Sequence, residues 1–209
     1  MTDRSAPDQI PGQVPGQVFA VGERLSLRAP RRSDAGPVSL YLGDARVARM
    51  LRATPHPYPP GAAEALIERA LSGRRAGRLL AIDASASGGP ELAGLVYLDP
   101  AGTDARGRPV HEVSFMIGPP FWKTGYATEA LDLLAERIFA EGAGALTATV
   151  FADDPASARL LTGLGFRWLG ETEAPSAARG GPAPAWRYRL SAEDRAARLE
   201  QDARARAGG

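Results

Sequence analysis

Apolar and polar residues alternate along Leu25-Ser26-Leu27-Arg28, which predicts a short half-buried strand. Ser33-Asp34 can cap a helix whose first turn tolerates Pro37, and a second short helix fits Asp44 to Met50. Three X-Pro steps and a Pro-Pro pair then force an extended, helix-free loop over 54–61. Helical spacing resumes from Ala62 to Arg74. Leu79 to Ile82 and Leu92 to Leu98 flank a turn and read as a hairpin; a polar connector over 99–109 leads to a strand from Val110 to Ile117. After Gly118-Pro119-Pro120 the period changes, and Ala127, Leu131, Leu134 and Ile138 form the apolar stripe of a helix. Leu146 to Phe151 reads as a strand. Asp154 and Pro155 then supply the N-cap and first position of a helix reaching Leu164. Phe166 to Leu169 starts another strand, and a Gly/Pro-rich loop over 175–184 separates it from a last one, Ala185 to Leu190. Ser191 and Asp194 form a capping box for a polar terminal helix.

This order predicts a mixed α+β domain with a mostly antiparallel sheet flanked by helices, not the strict alternation of a doubly wound fold. The division expected is a flexible arm over 1–20, one domain over 21–190, and a polar helix or tail over 191–209. The arm carries three prolines and a doubled Pro-Gly-Gln-Val.

The 209 residues, 44% hydrophobic, suit one domain with tails. No apolar run approaches the ~18 residues of a membrane span, and the first residues lack an apolar secretory core, so a cytoplasmic protein is expected. The absence of cysteine excludes disulfides and thiolate nucleophiles. Two histidines are too few for a His-built metal centre, and no metal is expected. A formal charge of +1 gives no field for gripping nucleic acid or an anionic membrane. Arginine is abundant, while Lys123 is the only lysine.

One segment stands out chemically. Phe121-Trp122-Lys123-Thr124-Gly125-Tyr126-Ala127-Thr128 joins a strand to the striped helix. A small-residue turn feeding a helix presents unpaired N–H groups at the positive end of the dipole, an anion site suited to phosphate. Gly125 allows close approach, and Lys123, Thr124 and Thr128 can add contacts; an ordinary strand–turn–helix is the plainer reading. A P-loop fails because Trp122 stands where its second Gly is required, and a G-x-G-x-x-G fingerprint is missing.

With Glu112 on a strand, W-x-x-G-Y-A-T-E-A from Trp122 to Ala130, and D-x-x-S-x-R-L-L-x-x-L-G-F from Asp154 to Phe166, the chain resembles the GNAT superfamily of N-acetyltransferases. It is most similar to the branch holding the ribosomal-protein N-terminal (RimJ/RimL-type) enzymes. The resemblance implies a splayed pair of strands at the cofactor site and acetyl-CoA as donor. The pyrophosphate loop maps onto Lys123, Thr124, Gly125, Tyr126, Ala127 and Thr128, and the pantetheine-pairing strand onto Phe115, Met116 and Ile117. Asp154 stands where the family usually has Asn, and Leu161 where many members have a catalytic Tyr; Ser157, on the same helix, is the substitute proton donor. Lys123-Thr124 replaces a common Gly-Lys.

Individual residues keep two readings. Glu112 is a general base, directly or through water, or else faces solvent or pairs an Arg. Ser157 protonates the leaving thiolate, or bonds its own helical turn. Arg52, His56 and Tyr58 shape the acceptor site, or belong to a rigid inert loop. The activity expected is transfer of acetyl from acetyl-CoA to a primary amine, a protein N-terminus or a small amine, within a ternary complex; the alternative is a non-catalytic acyl-CoA-binding module. The partners expected are acetyl-CoA and the amine, with a monomer or homodimer as the assembly.

Overall fold

The computed structural model describes residues 12–207. Two short antiparallel strands, β1 (Val18–Val21) and β2 (Ser26–Arg28), lead into α1 (Ala35–Gly43), α2 (Ala45–Ala48) and α3 (Ala62–Leu71). The hairpin β3 (Arg78–Asp83) and β4 (Gly94–Thr103) follows, then β5 (Pro109–Ile117) and α4 (Tyr126–Ala140). The chain continues through β6 (Ala145–Phe151), α5 (Pro155–Gly163), β7 (Arg167–Ser176), β8 (Gly181–Ser191) and α6 (Ala192–Ala207). The strands form one sheet in the order β1-β2-β3-β4-β5-β6-β8-β7, antiparallel except between β5 and β6.

Strand alternation sends successive residues into two separate cores. Leu80 and Ile82 pack with Leu131, Leu134 and Ile138 of α4, while Leu79 and Ala81 pack with Val38, Leu42 and Ile67 of α1 and α3. The sheet is therefore covered on both faces. α4, the crossover between the two parallel strands, buries the predicted stripe from Leu131 to Ile138 on one of them.

Arg28 is 1% exposed and closes the N-terminal edge. Its guanidinium reaches Asp34 Oδ2 at 2.8 Å and Asp83 Oδ2 at 2.6 Å and donates to the Glu91 carbonyl at 2.8 Å, tying β2 to β3 and to the start of α1. Asp34 thus serves Arg28 and the Arg31 N–H, and makes no side-chain cap for α1 as the sequence suggested.

Three expectations need correction. The arm expected over 1–20 is folded from Gly12 onward: Val18–Val21 supplies an edge strand for β2, and Gln13 Oε1 accepts from the Leu79 N–H at 3.3 Å. Its first eleven residues lie outside the described ones. The connector over 99–109 is largely strand, because β4 runs past an irregularity after Pro100 to pair Thr103 with Pro109. The loop over 175–184 is mostly the end of the β7–β8 hairpin. Its prolines fit because Pro182 and Pro184 lie beyond Ala185, the last β8 residue paired with β6, where a missing N–H leaves no ladder bond unmade.

Stripping one partner from a buried ion cluster strands the others, so Arg28→Ala is expected to cost about 3–5 kcal/mol, read as a lower urea midpoint. Burial alone would raise the Asp83 pKa; the Ser85 hydroxyl and Arg28 outweigh it and hold the carboxyl below its ordinary 3.8. A depressed folded pKa contributes stability above the unfolded pKa and loses it as pH falls through the folded one. The stability gap between the parent and Asp83→Asn should therefore be widest near neutrality and close below about pH 4.

Candidate active site

β5 and β6 pair only through Val110–Ala145, His111–Leu146 and Glu112–Thr147. Beyond that point each strand continues with its other neighbour: β5 pairs β4 as far as Ile117, and β6 pairs β8 as far as Phe151. The two strands diverge into a wedge whose inner edges lack a strand partner. The phase of the ladder shows which groups enter it. Gly118 N–H donates to the Ala93 carbonyl at 2.9 Å, so even-numbered β5 residues face β4. The odd-numbered His111 and Ile117 carbonyls instead accept from Thr147 Oγ1 at 3.3 Å and Trp122 Nε1 at 2.8 Å. Of the expected trio, Phe115 and Ile117 thus turn main-chain groups into the wedge. Met116 spends its own on β4 and buries its side chain against the helical layer of α1–α3.

At the wide end of the wedge lies the turn before α4. Gly125 occupies the left-handed region at φ 85°, and Lys123 is the only non-glycine described with positive φ, at 64°. Residues 122–125 are exposed, and the first N–H groups of α4, including Ala127 and Thr128, have no acceptor within the helix. The Thr124 hydroxyl is used internally, donating to the Phe121 carbonyl at 2.8 Å and accepting from Tyr126 N–H at 3.4 Å. Tyr126 packs into the core with Arg24 over its ring. Arg24, which sequence inspection passed over, braces the turn by donating to the Thr124 carbonyl and pairing with Glu129 at 2.7 Å. Phe121 stands edge-on to Tyr41, and Trp122 lies exposed beneath Arg46.

α5 begins as expected. Asp154 caps it, Oδ1 accepting from Ser157 N–H at 3.0 Å, and Oδ2 accepts from the Ser157 hydroxyl at 2.7 Å. The Ser157 proton is thus directed at Asp154. Glu112 sits where the strands part, Oε1 accepting from Thr149 Oγ1 at 3.0 Å and Oε2 pairing with Arg52 at 2.8 Å. The Arg partner anticipated as one alternative for Glu112 is therefore present.

A cavity of about 640 Å³ passes through the wedge. On one face of the sheet it is lined by Tyr97, Asp99, Ser114 and Thr149, and on the other by Val113, Phe115, Asp154 and Ser157. Arg52 and Tyr58 from the Pro-rich loop line it too; His56 is exposed and outside it. Burial pushes the Tyr97 phenol far above its usual range, so it stays protonated at any working pH. Burial likewise raises the Tyr58 phenol. Tyr97, Asp99, Arg75 and Arg69 escaped sequence reading because they share no motif. The available signal was register: Tyr97 and Asp99 alternate on β4 opposite Ser114 and Glu112.

A family model described as an acetyltransferase (GNAT) domain matches residues 24–167. The chain belongs to the GNAT acetyltransferase family. Solved structures with the same fold include a GNAT-family acetyltransferase from Bacillus anthracis (16% identity, TM-score 0.71, covering 83% of this chain and 98% of that one). Another is the Vibrio cholerae spermidine N-acetyltransferase in complex with CoA and spermine (18%, TM-score 0.69, 83% and 99%). A third is Mycobacterium smegmatis RimJ in complex with CoA-disulfide (20%, TM-score 0.66, 90% and 89%). No curated protein matches the chain in sequence. As a GNAT acetyltransferase, the protein uses acetyl-CoA as donor. Among the described residues no helix is long and apolar enough to cross a membrane, and no cluster of three or more His, Asp or Glu is placed to hold a metal.

The turn before α4 can be tested directly. A side chain at Gly125 must take a left-handed backbone and meet Arg24 Nη2 at 3.2 Å, and an aspartate adds negative charge beside the first N–H groups of α4. Gly125→Asp is expected to raise the calorimetric Kd for CoA by about tenfold or more. Unchanged affinity would remove this turn from the cofactor site.

Proposed function

We propose that the protein acetylates a primary amine by direct transfer in a ternary complex, the amine and the donor entering the wedge from opposite faces of the sheet. The observation that carries this reading is the continuity of the cavity through the gap between β5 and β6, from Tyr97 and Ser114 on one face to Phe115 and Ser157 on the other. The neighbouring structures name different acceptors, spermidine for one and ribosomal protein L7/L12 for another, so the fold itself leaves the amine open.

The donor supplies an activated acyl group on a thiol leaving group. The Lys123–Thr128 turn is the diphosphate site in this reading, with Lys123 adding charge to the exposed amides. The wedge-facing groups of Phe115 and Ile117 bind the peptide-like arm, and an N–H there holds the thioester oxygen as negative charge develops. Glu112, anchored by Arg52 and Thr149 at the parting of the strands, receives the ammonium proton directly or through water. Ser157 protonates the departing sulfur once its hydroxyl turns away from Asp154 Oδ2, its acceptor here, and solvent returns the proton to Ser157. No covalent enzyme intermediate is required, which suits a chain with no cysteine.

Acetyl-CoA turnover should be followed by thiol release across a panel of amines, with the acetylated product identified by mass spectrometry. Glu112→Gln is expected to lower kcat by about 100-fold while CoA binding persists. Ser157→Ala should lower kcat more than it raises KM for acetyl-CoA, and rates equal to the parent across a pH series would assign Ser157 to helix capping alone. Tight CoA binding without turnover of any amine would mark a binding module instead.

A further inference from the structure

The side of the cavity toward α3 has an uneven distribution of paired and unpaired charges. Asp99 lies 2.6 Å from Arg75 Nη2, packed where Gly77 has no side chain: a Cβ there would fall 2.1 Å from Asp99 Oδ1. Glu112, beside it on β5, is closed by Arg52 and Thr149. Asp154, the other carboxylate lining the cavity, is taken by the first turn of α5. Asp99, Glu112 and Asp154 therefore each have a cation or a helix N-terminus as partner. Arg69 is the opposite case. It projects from α3 into the cavity lining, is exposed, and makes no ion pair among the described residues. Its charge opposes the rise that burial imposes on the Tyr58 phenol, while Glu64, on the same helix but outside the lining, adds to that rise.

We infer that the acceptor is an amine bearing a carboxylate, which Arg69 holds at the cavity wall formed by α3 while the amine reaches the parting of β5 and β6. This rests on the ternary-complex reading above. A polyamine would need free carboxylates for its second ammonium and would meet the unpaired guanidinium instead. An anionic acceptor gains a charge-assisted, fork-like contact that a neutral one lacks. Two sources share this chemistry: a free amino acid, and a peptide with an acidic residue near its amino terminus.

The test measures equilibrium binding to the CoA-loaded full chain, and kcat/KM wherever turnover occurs. The probes are glutamate, glutamine, short peptides with Glu or Gln at the second position, and spermidine. The expected result is an approximately tenfold or larger preference for Glu over Gln in one of the two formats, with spermidine weakest. The amino-acid and peptide arms show which source fits. Arg69→Gln should bring the Glu/Gln ratio toward one, and Arg69→Lys should restore part of it. Equal handling of Glu and Gln, preference for spermidine, or a ratio indifferent to Arg69→Gln would overturn the inference and leave the acetyltransferase reading standing. Failure of CoA itself to bind would overturn both.

Discussion

Three residue pairs decide what the rest of the sheet can do. β5 and β6 stay together only from Val110 to Glu112, because each is held along its whole length by a different antiparallel neighbour. The twist of each half-sheet pulls its inner strand away from the other. Buried backbone N–H and C=O groups must find partners, so edges opened in this way call for something peptide-like between them. The indole of Trp122, bonded to the Ile117 carbonyl, already answers that demand at one point. α4 starts where the wedge is widest, which brings the first N–H groups of a 15-residue helix to the same opening.

Much of this was legible in the residues and some was not. Periodicity located the buried stripe of α4, and Asp154-Pro155 located the start of α5, since local chemistry fixes both. The Arg28 cluster was invisible: an arginine ending a short strand reads as solvent-facing until Asp34 and Asp83, far apart in sequence, converge on it. Proline misled at 175–184, because its cost depends on whether a neighbouring strand needs the N–H, a tertiary fact. The phase of β5 misled as well. Which of Phe115, Met116 and Ile117 opens into the wedge depends on hydrogen-bond parity with β4, and no composition reports that parity.

The arginine-rich composition, uninformative position by position, becomes specific once folded. Arg24 braces the turn before α4, Arg46 covers Trp122, Arg52 anchors Glu112, and Arg75 occupies Asp99. Planar, permanently charged forks that bond two groups at once suit these linking positions better than lysine would. In each of these four the cation is a strut between elements, and Arg69 differs in having no carboxylate partner among the described residues.

The hairpin joining β7 to β8 bends back toward α2 and the residues that follow it. Ala177 N–H donates to the Arg52 carbonyl at 2.9 Å, and Arg179 bonds the Arg49 carbonyl and Asp153, which also takes Arg49. These bonds cross from one half of the sheet to the other, opposite the apex where the strands still pair. The two halves of the sheet are therefore tied at a second place, besides the apex of their shared ladder. A slot closed at both ends in this way is long and narrow rather than round, a shape set by the strand ladder and by Ala177 and Arg179 of a distant hairpin.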